Sequence, residues 1–463
     1  MRVRAPFATT AAWGCACGAL LGALRTRAAT LHLLQKNHAL LAAGVPPLPG
    51  AGHWAEMASP APTAAGAVFF GLSLGLGAGA LLALWVVVAR RLGGPRAFAA
   101  SWTVLFPSLW AAFQNDAGLA AALAAIGAGA ALLQAQAPQP SPRSHPLAVA
   151  CAVVTALGLV PWALAPEGGF TRFRDRVLFR SELGLALDRL YYRWTLYPAE
   201  ALKPLAGRSQ PTVAPSPQLP PDAAAAFCRE ARPAGLLCVA AGSPGGDATA
   251  VPGASGAPVL AAPGARIPWP RDASTRPEAW QLLSRASDRA VALRSATGLA
   301  LLAGCPAALL WLAGVAASRL RAVAPSGRRG IAASVAAAAL VAGGLAALAR
   351  SDPGLARARS LADAPRPSRT EVEGFLRSPD PAARYYAARA AAALGPAAER
   401  ALLSALGDPV VNVRYAAAQS LGAAGTGRAR QALLRLVEGP DEWYVKERAY
   451  AALERLGWDA GAR

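Results

Sequence analysis

The chain is 463 residues long, with 54% hydrophobic and only 16% charged residues, well short of the roughly 25% charged residues of a soluble globular chain. Its 46 Lys+Arg against 26 Asp+Glu give a formal charge of +20, which would suit nucleic acid if it formed one patch. It forms none: outside 166–296 and 351–463 there are fourteen basic residues and two acidic ones, Glu56 and Asp116, scattered in short connectors beside apolar runs. Positive charge in that position orients membrane helices, so a bilayer is expected and a nucleic-acid partner is not.

Apolar runs close to the about 20 residues that cross a bilayer occur at 7–24, 63–89, 97–113, 117–135, 146–165, 296–318 and 331–349. Arg2 and Arg4 before the first run also fit a secretory signal. No small-x-small cleavage site precedes Arg25, so an uncleaved anchor is the better reading. On the second run Gly71, Gly75 and Gly79 form a small-residue stripe that allows close backbone approach. The expected use is packing within this chain's own bundle, with a homo-oligomer interface as the alternative.

Lys and Arg in the short connectors set the orientation. With the N-terminus inside, ten fall on the cytoplasmic side (Arg2, Arg4, Arg90, Arg91, Arg96, Arg143, Arg319, Arg321, Arg328 and Arg329). The reverse orientation leaves only Arg25, Arg27 and Lys36 inside. The segment 166–295 and the C-terminal region 351–463 are then extracytoplasmic. In a bacterium this means the periplasmic face of the inner membrane.

Segment 166–295 reads in parts. Residues 170–205 are amphipathic and helical, with an aromatic cluster at Tyr191, Tyr192, Trp194 and Tyr197. Residues 210–222 are Pro-rich and read as a linker. From 223 to 270, short apolar pieces between Gly and Pro predict a small β-rich element. A polar helix from about Arg276 leads into the sixth run. Cys228 and Cys238 share this outer segment, where oxidation is allowed, and are the disulfide pair expected. Cys15, Cys17, Cys151 and Cys305 fall in apolar runs as small packing residues.

Three stretches beyond 370 align on one template: 383–388, 413–418 and 445–450, with Arg384, Arg414 and Lys446 at one position. Each stretch is followed by Leu-Gly, at 394–395, 421–422 and 456–457, and Asp-Pro or Pro-Asp stands in the turn before it. Asp or Pro starts the second helix of each pair and Gly ends it with a left-handed cap. Small Ala runs let successive pairs stack and bury a face that one pair alone could not hide. These residues resemble HEAT-like repeats of the short kind also found in bilin lyases of light-harvesting antennae. The resemblance covers about 370–457 and implies an α-solenoid that binds a protein partner, without lyase chemistry.

Arg384, Arg414 and Lys446 are expected to pair with acidic residues of neighbouring repeats, the alternative being a basic ladder that grips a partner. Tyr385, Tyr415 and Trp443 are candidates for an exposed aromatic binding face, in the manner of interface hot spots. Simple inter-repeat packing is the competing use. His32, His38, His53 and His145 lack a carboxylate pattern, so no metal is expected. No nucleophile elbow, P-loop or dinucleotide fingerprint stands out, so neither catalysis nor a cofactor is expected. The apolar runs hold almost no ionisable groups, which argues against an ion-coupled carrier.

The expected architecture is mainly α. About seven spans, divided into 1–165 and 296–350, surround the insert 166–295 with its small β part, and 351–463 forms the solenoid. The expected function is a membrane-anchored scaffold or assembly factor. The alternative is a membrane enzyme or lipid transporter that uses the repeats for docking or regulation.

Overall fold

The computed structural model describes residues 5–83, 116–135, 169–254, 256–304, 308 and 352–459. The runs at 97–113, 146–165 and 331–349, with the arginine connectors beside them, lie outside these residues.

Helix α1 (Ala5–Ala42) is 38 residues long, or about 57 Å at 1.5 Å per residue. It does not stop where its apolar run stops, at Leu24. From Ala23 to Ala42 the sequence has neither Gly nor Pro, so nothing breaks the helix. It continues as a polar mast carrying Arg25, Arg27, His32 and Lys36. Gly44 at φ 76° ends it, with the Val45 amide bonded to the Leu40 carbonyl at 2.9 Å, as a left-handed C-terminal cap requires. A short helix α2 (Trp54–Ala58) leads into α3 (Ala61–Ala83).

Among the described residues, α3 is the one helix long and apolar enough to cross a membrane; α4 (117–132 of the helix Ala117–Ala135) and Val291–Gly304 are apolar but shorter. The described residues therefore do not give the seven-span bundle expected from the apolar runs. The helix α3 runs antiparallel to α1, and the Gly71–Gly75 stretch makes a π turn within it. The seam is built on backbone contact. A Cβ on Gly75 would overlap the Gly14 carbonyl oxygen, one on Gly79 would sit 3.0 Å from that of Thr10, and one on Gly18 would sit 2.6 Å from the Gly75 Cα. The glycine stripe is thus spent inside this chain, against a second stripe (Gly14, Gly18, Gly22) that the sequence reading missed.

Segment 169–200 forms α5 (Gly169–Arg176) and α6 (Glu182–Glu200). The break between them is the extended Ser181, whose side chain caps α6 by accepting from the Gly184 amide. A five-stranded sheet follows, in the order β2-β1-β3-β4-β5. Its strands are β1 (Thr212–Pro215), β2 (Leu237–Cys238), β3 (Ala248–Pro252), β4 (Pro258–Ala262) and β5 (Ala265–Pro268). The first three are parallel and the last two antiparallel additions, with α7 (Pro221–Ala231) crossing between β1 and β2. The expectation of a linker at 210–222 is corrected here. Prolines flank β1, but Thr212–Pro215 is buried throughout, because Val213 sits in a core with Phe227, Trp269 and Trp280. Likewise 223–231, expected to be β-rich, is helix, in α7 from Pro221. From Arg276 the chain forms two helices, α8 (Arg276–Ala286) and α9 (Val291–Leu299), rather than one continuous element.

The C-terminal region is helical throughout: α10 (Pro353–Ala362), α11 (Arg369–Leu376), α12 (Pro381–Ala390), α13 (Glu399–Ala405), α14 (Val411–Ala424), α15 (Gly427–Glu438) and α16 (Trp443–Arg455). Pairs α11/α12, α13/α14 and α15/α16 are the three repeats. Asp352 and Asp380 cap α10 and α12, each followed by Pro at the first helical position. Ala388, Ala416, Ala417, Ala418 and Ala449 are fully buried in the stacking seam with Leu421 and Leu453. Two of the three Leu-Gly pairs place Gly at positive φ, Gly395 at 60° and Gly457 at 72°. The middle one does not: α14 continues through Gly422, where a Cβ would lie 2.9 Å from the Ala452 Cα. That glycine serves close stacking rather than a cap.

Candidate interaction face of the repeat array

The second helices α12, α14 and α16 line one face of the array, and the template cations are the first side chains on it. Arg384 donates from Nε and Nη2 to Asp408 at 2.7 and 3.1 Å. Arg414 repeats this on Asp441 at 3.0 and 2.7 Å. Each guanidinium also donates from Nη1 to a carbonyl of its own turn, Ser378 at 2.9 Å and Asp408 at 2.8 Å. One arginine therefore ties its own turn to the acidic turn residue of the next repeat, a bidentate geometry that lysine cannot supply. The third copy carries lysine at this position. Lys446 is buried, its Nζ 3.4 Å from the Pro49 carbonyl beyond the end of α1, and burial lowers its pKa. These three side chains hold the array together and to its base.

The aromatic candidates are not exposed. Tyr385 is half-buried, with the Arg174 guanidinium 4.5 Å above its ring. Tyr415 accepts from Arg448 Nε at 2.7 Å. Trp443 donates from Nε1 to the Tyr192 carbonyl at 2.9 Å. The expectation that Tyr385 and Tyr415 stand bare on the surface is corrected. The face lies against the chain's own segment 169–200, expected only as an amphipathic helical part of the extracytoplasmic insert.

That segment meets the repeats in order. At the first, Tyr386 Oη donates to Asp175 at 2.8 Å, and Arg359 donates to the same carboxylate at 2.7 Å. At the second, Asp188 bonds the Asn412 side chain. At the third, the Tyr192 ring lies 5.2 Å from that of Tyr444, among Val411, Val445 and Leu436. Burial pushes the Asp188 carboxyl up to about 6, with Arg174 and Asn412 pulling against that rise and Asp175 adding to it. Burial likewise raises the Tyr192 phenol to about 12.

Two further carboxylates clamp the other side of the joint. Glu56 accepts from Arg193 Nη2 at 2.7 Å and Tyr197 Oη at 2.9 Å. Burial opposes its ionisation, yet bonds from His53, Arg193 and Tyr197 hold it down at about 2. Asp247, ahead of β3, is wholly buried. It takes bonds from Lys36 Nζ at 2.8 Å, His32 Nε2 at 3.1 Å, Arg208 Nη1 at 2.5 Å and the Thr212 amide at 3.0 Å. Burial opposes ionisation there too, and Lys36, His32 and Arg208 outweigh it, so its pKa lies far below the ordinary carboxylate range. The polar half of α1 is thereby bolted to the sheet, and Ser209 continues the contact to Glu447 at 2.5 Å.

Glu56 stood out as one of only two acids outside 166–296 and 351–463, but no spacing rule connects it to Arg193 and Tyr197, 137 and 141 positions away, or Asp247 to Lys36, 211 positions away. Cys228 and Cys238 are joined, α7 to β2, across ten residues. Among the described residues no group of His, Cys, Asp and Glu is placed to hold a metal ion.

Beside this face lies a groove of about 700 Å³ at the second and third repeats, lined also by Arg189 of α6. Leu403, Leu406, Val411 and Leu436 give it an apolar floor, and Arg435 and Glu442 stand at its rim.

A family model for HEAT repeats matches residues 372–454. No curated protein and no solved structure matches the chain. The C-terminal array therefore belongs to the class of helical solenoids whose stacked repeats present extended surfaces to other proteins. Residues 372–454 are HEAT repeats, within a mainly helical chain.

Proposed function

We propose that this protein is a non-enzymatic, membrane-anchored scaffold or assembly factor, holding its HEAT array at the periplasmic face of a bacterial inner membrane. The observation that carries the reading is the seating of the array. Its aromatic face is closed by the chain's own helices and its base is bolted to α1, while a groove of mixed polar and apolar lining at 403–442 stays open. A solenoid fixed in this way is preorganised, so a partner segment binds without the cost of ordering the array. The apolar helix Ala61–Ala83 supports anchoring, together with the further apolar runs that made up the seven-span expectation. Connector arginines support an inside N-terminus, and the joined Cys228–Cys238 pair suits an oxidising compartment.

The test is a photoreactive residue at Arg435, on the groove rim, compared with one at Arg400, exposed on the first helix of the second repeat. Irradiation in cells is expected to give one discrete protein adduct from position 435 and none from 400. Equal labelling at both positions, or none at either, removes the groove as the partner site.

A further inference from the structure

The helix α6 carries leucines on an exposed side, while its most buried charged group, Asp188, is 2% exposed beside Asn412; Glu182, Arg189 and Arg193 stay exposed, Arg193 reaching Glu56. Its leucines turn outward, Leu183 at 71% exposure, Leu187 at 50% and Leu190 at 52%, with Tyr191 beside them. The spacing i, i+4, i+7 and i+8 is that of a continuous apolar stripe. In water such a helix would be expected to rotate its leucines inward, yet here the inward positions are taken by the contacts that hold the HEAT array.

The surroundings say what medium the stripe meets. The helix α6 packs against Ala61–Phe70, the first part of the apolar helix α3. Just past its end, Leu202 joins Leu21, Phe70, Leu119 and Leu293 in the core of the apolar helical layer. On that layer Val68 and Leu24 are themselves exposed. Exposed apolar side chains therefore stand on both the layer and α6, which pack together.

We infer that α6 lies in the headgroup–acyl boundary of the bilayer, its leucine stripe immersed in lipid and its polar side carrying the repeats. The occupant of the stripe is phospholipid. Interfacial helices of this composition bind through the apolar face and keep the charged face out of the hydrocarbon. The inference rests on the proposed membrane anchoring of α3. It makes α6 a lipid-seated floor that fixes the height and tilt of the array above the membrane.

The test uses the full chain in nanodiscs of phosphatidylcholine and phosphatidylglycerol, doped with a phospholipid that carries a diazirine near the ester end of one acyl chain. After irradiation and digestion, lipid adducts are expected on 182–191 as well as on α3. In a Leu183→Ser/Leu187→Ser/Leu190→Ser variant the α6 adducts are expected to fall several-fold while those on α3 persist. If wild-type α3 is labelled and 182–191 is not, the stripe meets water, a second copy or another segment of the chain, and the inference is overturned. If neither is labelled, the membrane reading itself fails.

Discussion

Asp188 shows how a single side chain sets the behaviour of the joint. It is buried between α6 and α14, faced by Arg174, Asp175 and Asn412, and its carboxyl is raised to about 6 from an ordinary 3.8. The folded joint therefore holds a proton that the unfolded chain releases. The associated stability is fully present below pH 4 and is lost as pH rises through 6. After screening by Arg174 and solvent the change amounts to about 1 kcal/mol. Thermal melts of the detergent-solubilised chain between pH 4.5 and 7.5 are expected to show the joint weakening with rising pH, and Asp188→Asn to flatten that dependence. A melt profile equally steep in the variant would move the titration to another group. Asp247 is the opposite case, a carboxylate kept ionised by three cationic or imidazole neighbours and a backbone amide. Removing one partner of such a buried cluster leaves the others uncompensated.

At the scale of elements, the glycine seam between α1 and α3 and the alanine seam between repeats solve one problem in the same way. Both bring helix backbones close where side chains of ordinary size would hold them apart. Gly75→Leu places a side chain where even a Cβ overlaps the Gly14 carbonyl, and overpacking of this kind typically costs 1–3 kcal/mol or more. It is expected to lower the unfolding midpoint in detergent. Gly298→Ala, where a Cβ meets nothing within 4 Å, is expected to be neutral or slightly stabilising. Equal loss in both variants would mean that the seam does not hold the layer.

The alanine repeats were legible in the sequence because their period is short and each copy carries a Pro/Asp turn before and a Leu-Gly pair after its Ala run. The stripe Gly71, Gly75, Gly79 was legible for the same reason, and Gly14, Gly18, Gly22 obeys the same rule one helix earlier. Strand β1 was not, because its flanking prolines mimic a linker while its burial comes from partners at 227, 269 and 280. The polar continuation of α1 was hidden by its charges, which mark the end of an apolar run but do not end a helix.

For the whole molecule, the central feature is that the aromatic face of the HEAT array is not vacant. Asp175, Asp188 and Tyr192 meet successive repeats at Tyr386, Asn412 and Tyr444. Contacts between residues so far apart in sequence were beyond any local pattern. They turn the expected partner-binding tyrosines into internal fasteners. They also explain why the ladder of Arg384 and Arg414 is spent on neighbouring turns: the array is a rigid block seated on a floor. The groove proposed as the partner site, at 403–442, borders the fasteners, since Val411 and Leu436 line it and also pack with Tyr192.

The most direct measurement locks the joint and asks whether the groove still works. In a chain with Cys15, Cys17, Cys151 and Cys305 changed to Ala, Tyr192→Cys and Tyr444→Cys replace rings that lie 5.2 Å apart. A short bismaleimide is expected to join them in the full-length protein in cells, and the photoreactive residue at Arg435 should then capture its partner as well as it does in the unlocked chain. Failure of the pair to join, or loss of capture once it is joined, would contradict the seating described here and return the partner to the aromatic face.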